Sequence, residues 1–101
     1  TNIEAFILDS SRVITLAAKE HAALRIYVGV KNNSIGIMLN GQYYDALATS
    51  EPYIYSVDLA DYTRKGTYTF EILNGNDILA SGQKFEIKKM GMSENAGLFD
   101  F

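Results

Sequence analysis

Between Val57 and Leu73 the chain alternates apolar and polar residues, breaks for a polar corner, and alternates again. In the second run Tyr68, Phe70 and Ile72 fall on one side and Thr67, Thr69 and Glu71 on the other. A repeat of two places one residue set on each face of a half-buried strand, whereas the 3.6-residue turn of a helix scatters both sets. In the first run Tyr53, Tyr55, Val57 and Leu59 alternate with Ile54, Ser56 and Asp58. The longest such pattern sets Ala22, Leu24, Ile26, Val28 and Val30 against Ala23, Arg25, Tyr27, Gly29 and Lys31. Strands of this kind bury one face only against a second layer, so a fold of packed sheets is required.

Turn chemistry supports the same conclusion. Asn40-Gly41 lies between alternating runs, the strongest short hairpin signal, because both central residues of a type I′ turn need positive φ. Asn74-Gly75-Asn76-Asp77 predicts another tight turn, and Lys31-Asn32-Asn33-Ser34 a looser one. Thr49-Ser50-Glu51-Pro52 breaks the run with the chain's single Pro. Gly82 predicts a bulge, because Phe85 and Ile87 resume the alternation on shifted parity. Residues 3–8 read as a first strand with apolar groups on both faces, and residues 42–48 as one return strand. Residues 17–24 carry strong helix formers and Ser11 suits a helix cap, so a short helix competes with strand, turn, strand over 12–24; the alternation after Ala22 favours the latter. The expectation is an all-β, antiparallel sandwich of seven to eight strands over residues 1–88, followed by a C-terminal extension over 89–101.

The residues Asp58-Leu59 and Lys65-Gly66-Thr67-Tyr68 resemble the corner before strand F in immunoglobulin-like and fibronectin-III-like sandwiches. The resemblance covers residues 1–88 and implies that Gly66 supplies a positive φ while the Tyr68 hydroxyl bonds back to the corner's backbone. The Cys-Trp-Cys core of antibody domains is impossible, since the chain has neither residue. Small immunoglobulin-like decoration and adaptor proteins of phage virions, and modules on bacterial surfaces, look like this. The resemblance therefore implies a non-catalytic structural module at a virion or cell surface.

Chemistry is scarce. At 101 residues, 48% hydrophobic and 21% charged, the chain has the length and composition of one globular domain. A net charge of −3 with dispersed Lys and Arg gives no footprint for a phosphate backbone, so nucleic acid is not expected as a direct ligand. Zero cysteines exclude thiol catalysis, disulfides and Cys-zinc sites. The only imidazole is His21, and a lone His is far more often a surface residue than a general base. Asp58 and Asp61 flank a corner, where carboxylates cap backbone groups, while Glu71 and Glu86 are placed toward solvent. Asn74, Asn76 and Asp77 carry too few carboxylates for a calcium loop, and Gly36, Gly41 and Gly66 are too scattered to cradle phosphate. Asn32-Asn33-Ser34 matches a glycosylation acceptor, which matters only in a eukaryotic secretory route. No enzyme, metal or cofactor is expected. No apolar run reaches membrane-spanning length, and Thr1-Asn2-Ile3-Glu4 lacks a signal-peptide pattern. Thr1 following an excised initiator Met is the preferred reading, against a mature N-terminus or a cut domain.

What remains is aromatic. Tyr43, Tyr44, Tyr53 and Tyr55 cluster in the middle third, and Tyr27 points away from the face of Leu24. Tyrosine offers wide contact area with a polar tip, which serves partner surfaces and sugar stacking alike, although its β-propensity also places it in ordinary packing. The last residues include Leu98, Phe99 and Phe101, whose exposure would forfeit about 1.5–3 kcal/mol each. The expected function is attachment to a larger protein lattice, or to other copies of the chain, through the tyrosines and this tail. The alternative is a carbohydrate-binding module, disfavoured by the lack of Trp. Residues 97–101 are also similar to the Leu/Phe-rich ends with which phage replication proteins hook onto sliding clamps.

Overall fold

A computed structural model of the chain describes residues 2–91. Nine strands occur among them: β1 Ala5–Ile7, β2 Val13–Leu16, β3 Ala22–Val28, β4 Ile35–Leu39, β5 Gln42–Asp45, β6 Leu47–Ala48, β7 Ile54–Leu59, β8 Gly66–Asn74 and β9 Asp77–Lys89. They form a four-stranded sheet of order β1-β3-β7-β6 and a five-stranded sheet of order β2-β9-β8-β4-β5. The alternation read from the sequence is the burial pattern observed. Leu24, Ile26, Val28, Tyr55, Val57 and Leu59 face inward from the first sheet, and Ile37, Leu39, Phe70, Ile72, Phe85 and Ile87 from the second. Residues 12–24 are strand, turn, strand.

Two departures from the expected pattern come from the chain changing sheets. Residues 42–48 form two strands instead of one, because Ala46 is the crossing point: β5 pairs with β4, while β6 pairs with β7 in the other sheet. Ala46 is buried, and its N–H donates to the Ile35 carbonyl at 3.0 Å. The strand count therefore exceeds the seven to eight expected. The first long strand shortens in the same way. β1 pairs antiparallel with β3, a 3-10 turn at Asp9–Ser11 follows, and β2 joins the opposite sheet, running parallel to β9. The sandwich is thus not wholly antiparallel. Where β1 stops, the Leu8 N–H donates to the Arg25 carbonyl at 3.1 Å, and the buried Ser11 Oγ accepts the Arg25 N–H at 2.9 Å. A side chain here satisfies the β3 backbone that would otherwise be orphaned.

The turns follow their residues. Asn40 and Gly41 have φ of 52° and 78°, as a type I′ hairpin requires. At Gly82 the register slips: Phe70 pairs with Gln83 but Ile72 with Ala80, leaving Ser81 and Gly82 opposite Glu71. Gly82 has φ 67°, and the bend carries Gln83 toward β1, where its Oε1 accepts the Ile7 N–H at 2.9 Å and ties the two sheets at one edge. β9 extends to Lys89, one residue past the boundary expected, and Met90 N–H donates to the Leu16 carbonyl. At the corner before β8, the Tyr68 hydroxyl donates to the Arg64 carbonyl at 2.8 Å, and Gly66 has φ 151°. The expected docking residues Leu98, Phe99 and Phe101 lie outside the described residues.

Candidate functional site

The four tyrosines singled out in the middle of the sequence do not share a face. Tyr55 points into the core, 3% exposed; its hydroxyl donates to the Val30 carbonyl at 2.6 Å and accepts the Asn32 N–H at 3.2 Å. It therefore offers nothing to a partner and instead fixes the loop after β3. Tyr44 lies half-buried beside Tyr62, ring centroids 6.1 Å apart. Tyr43, its neighbour on β5, is on the opposite face, with its ring over Gly36: a Cβ added there would come within 2.3 Å of the ring. That close fit across neighbouring strands explains why position 36 has no side chain. Burial raises the hydroxyl pKa of Tyr43, with the Asp45 charge adding to it, and burial followed by the adjacent Tyr62 raises that of Tyr44. Two of the four are exposed, on different sheets: Tyr43 on β5 at 41% and Tyr53 beside the first sheet at 40%.

Tyr53 belongs to a different grouping. The β1–β3 register places Phe6 opposite Tyr27, and their rings stack at 5.0 Å with 17° between planes. Tyr27 leads to Tyr53 at 6.2 Å, and the Lys31 ammonium stands 5.5 Å from the Tyr53 ring centre. Ile54, opposite Tyr27, and Leu47, opposite Ser56 and 66% exposed, extend this strip over the outer face of the four-stranded sheet. Arg25, which pairs with Ser56 in the same row, reaches Glu51 at 2.7 Å and borders the strip with a neutralised ion pair. Phe6 and Lys31 were not legible as part of a site. Each signals only its outward parity, and their meeting with Tyr27 and Tyr53 depends on strand register.

The strip ends at a groove of about 450 Å³ between the loop after β3 and the turn before β7. Asn32, Asn33, Thr49 and Ser50 supply polar walls and Tyr53 an aromatic one. Both walls are braced. Asn32 Oδ1 accepts the Ser34 N–H at 2.7 Å, and Thr49 Oγ1 donates to the Ile54 carbonyl at 2.9 Å and accepts the Glu51 N–H at 3.2 Å. Tyr53 is held at φ 69°, a left-handed conformation that costs a bulky residue about 1–3 kcal/mol and clusters at functional sites.

Elsewhere two surface ion pairs occur among the described residues. His21 Nε2 lies 2.8 Å from Asp58 Oδ1 on the surface, and Arg12 pairs with Asp9. No group of three or more His, Asp or Glu among the described residues is arranged to hold a metal ion.

A protein family described as a domain of unknown function, DUF7862, matches residues 3–90, nearly the whole sandwich, and the chain belongs to that family. No curated protein and no solved structure matches the chain.

Proposed function

We propose that this member of the DUF7862 family is a non-catalytic attachment module of immunoglobulin-like fold, which binds a larger protein assembly through the outer face of its four-stranded sheet. The fold reading is supported by strand order: β1-β3-β7-β6 follows the A-B-E-D sheet of such domains, and β9-β8-β4-β5 follows G-F-C with a C′ edge strand. The Tyr68 hydroxyl bonded four residues upstream fits the tyrosine corner of the same architecture.

The observation that carries the functional reading is the strip of Phe6, Tyr27, Ile54 and Leu47. The core closes without these residues, so their outward apolar area is unused by the fold. The middle of the other sheet's outer face, over β8 and β9, carries Thr67, Thr69, Lys84, Glu86 and Lys88, while its exposed apolar residues Val13, Tyr43 and Ile78 lie apart from one another on the edge strands and at the β8–β9 hairpin. Residues 90–101 are the second element of the proposed attachment, with Leu98, Phe99 and Phe101 as anchors.

A photoreactive residue placed at Leu47, and separately at Thr69, tests the reading in the cells that produce the protein. Cross-linking to one defined protein species from position 47 and none from 69 is expected. Equal yields from both positions, or none from either, overturn it. Deleting residues 90–101 is expected to weaken the cross-link while thermal unfolding stays cooperative; an unchanged cross-link removes the tail from the proposal.

A further inference from the structure

We infer that the groove between the loop after β3 and the turn before β7 is a binding site for an acidic saccharide, with Tyr53 as the stacking platform and Lys31 as the carboxylate ligand. The site adjoins the sheet face proposed for attachment, sharing Ile54 with it, but the inference stands whether or not that face binds protein.

Size comes first. About 450 Å³ is within the range of small-ligand sites, roughly 300–1,000 Å³, and the lining divides about evenly between polar groups and the apolar surface of Ala48, Pro52, Tyr53 and Ile54. A mixed lining of this kind suits a saccharide, whose ring has hydroxyl edges and an apolar face. Asn32, Asn33, Thr49 and Ser50 offer donors and acceptors, and Tyr53 is the large exposed ring on which the apolar side of a sugar can rest.

Charge selects among saccharides. Two ionic side chains with opposite signs line the groove, Lys31 and Glu51. Glu51 is neutralised by Arg25 at 2.7 Å, whereas Lys31 has no carboxylate partner among the described residues and stands over the Tyr53 ring. The groove therefore keeps one cation of its own in a protein of net charge −3. A sugar bearing a carboxylate meets that cation while its ring covers Tyr53. An acidic peptide offers Lys31 the same carboxylate and offers the walls its backbone amides, but an aliphatic acidic side chain brings no ring face to cover Tyr53, and a poly-glutamate probe separates the two.

Preorganisation is the third argument. Tyr53 adopts a left-handed backbone, and both walls are tied by side-chain-to-backbone hydrogen bonds from Asn32, Thr49 and Tyr55. Little is left to order when a ligand arrives, which favours binding by a small site.

Titration of the full chain with oligogalacturonate, followed by amide NMR shifts, tests the assignment, with an uncharged dextran oligomer and poly-glutamate as comparison probes. Saturable shifts at Asn32, Asn33, Ser50 and Tyr53 with oligogalacturonate are expected, weaker by about tenfold with dextran. Tyr53→Ala should lower the affinity about tenfold, and Tyr53→Gly, which suits the observed φ, serves if the Ala variant folds poorly. Lys31→Gln should remove the preference for the acidic over the neutral sugar. Equal affinity for poly-glutamate, binding retained without the Tyr53 ring, or no saturable shift with oligogalacturonate overturns the inference. Cross-linking from Leu47 reports on protein attachment independently of each of these results.

Discussion

Two groups of aromatic rings lie at opposite ends of β3, and the fold uses them in opposite ways. At the start of β3, where the Ala22 N–H donates to the Tyr62 carbonyl, Tyr44, Tyr62, Tyr68, Phe85 and Phe70 run edge-to-face and stacked into the core, with centroids 5.2–6.1 Å apart. At its end, where the Val28 N–H donates to the Tyr53 carbonyl, Phe6, Tyr27 and Tyr53 follow one another over the outer surface under a lysine. The first group runs from half-buried Tyr44, Tyr62 and Tyr68 to Phe70 and Phe85, which are buried between the sheets; the second has a sheet on one side and solvent on the other. Composition does not distinguish them. Their distinction is which elements close over them, and the two groups should therefore separate cleanly in stability and binding measurements.

The largest separation is expected at Phe85, which is stacked on Tyr68 at 5.2 Å and buried. Phe85→Ala should cost about 3–5 kcal/mol in urea unfolding, a large share of the ~5–15 kcal/mol that holds a domain of this size. A cost under about 1 kcal/mol would mean the inner group does not support the core.

Removing single hydroxyls sharpens the comparison further. Tyr55→Phe strands the Asn32 N–H and the Val30 carbonyl, and about 1–3 kcal/mol should be lost. Tyr68→Phe breaks one bond to Arg64 near the surface, for about 0.5–1.5 kcal/mol. If the order of these two reverses, the corner and not the loop brace is the more important use of a tyrosine tip.

The inner group should also be visible in alkali. Burial, and then the neighbouring Tyr62, hold the Tyr44 hydroxyl above the ordinary value of 10.0. A raised folded-state pKa means that above that ordinary value the unfolded chain loses its proton first, so stability is intact below about pH 10 and falls as pH rises through the folded value. Unfolding midpoints measured across this range should drop, and Tyr44→Phe should flatten the drop. An unchanged slope in that variant assigns the alkaline loss to other groups.

Much of this was legible before the fold was known. The inner faces of β3, β7 and β8 follow from alternation alone, because a repeat of two fixes parity without reference to any partner. The hairpin at Asn40-Gly41 follows from φ preference, and the shift at Gly82 from the broken parity beyond it. Legibility ended where the chain changes sheets. Nothing local in residues 42–48 reveals that Ala46 divides two layers, and residues 3–8 alternate too weakly to show that β1 stops at Ile7. The tyrosines failed for a related reason. Adjacent residues Tyr43 and Tyr44 must point to opposite faces, and Tyr55 shares parity with Val57 and Leu59, so closeness in sequence could not make one surface of them. The strip that does form joins Phe6 to Tyr27 and Tyr53 through pairing between distant segments.

Tyr53 is where the comparison can be broken with the smallest expected change in stability. Its φ of 69° costs about 1–3 kcal/mol in a residue with a Cβ, and a glycine there would be relieved of that strain. Against the gain stand the contacts with Tyr27 and Lys31, about 0.5–1.5 kcal/mol each, and the greater backbone entropy that glycine loses on folding, about 0.5–1 kcal/mol. These terms nearly cancel, so Tyr53→Gly should unfold within about 1 kcal/mol of the parent in urea while losing ligand response at the groove. A loss as large as that of Phe85→Ala would place Tyr53 with the structural rings and leave the outer group without a member kept for binding. A near-zero change accompanied by lost binding would show a strained tyrosine retained where glycine folds equally well, which is the pattern a ligand-facing ring produces.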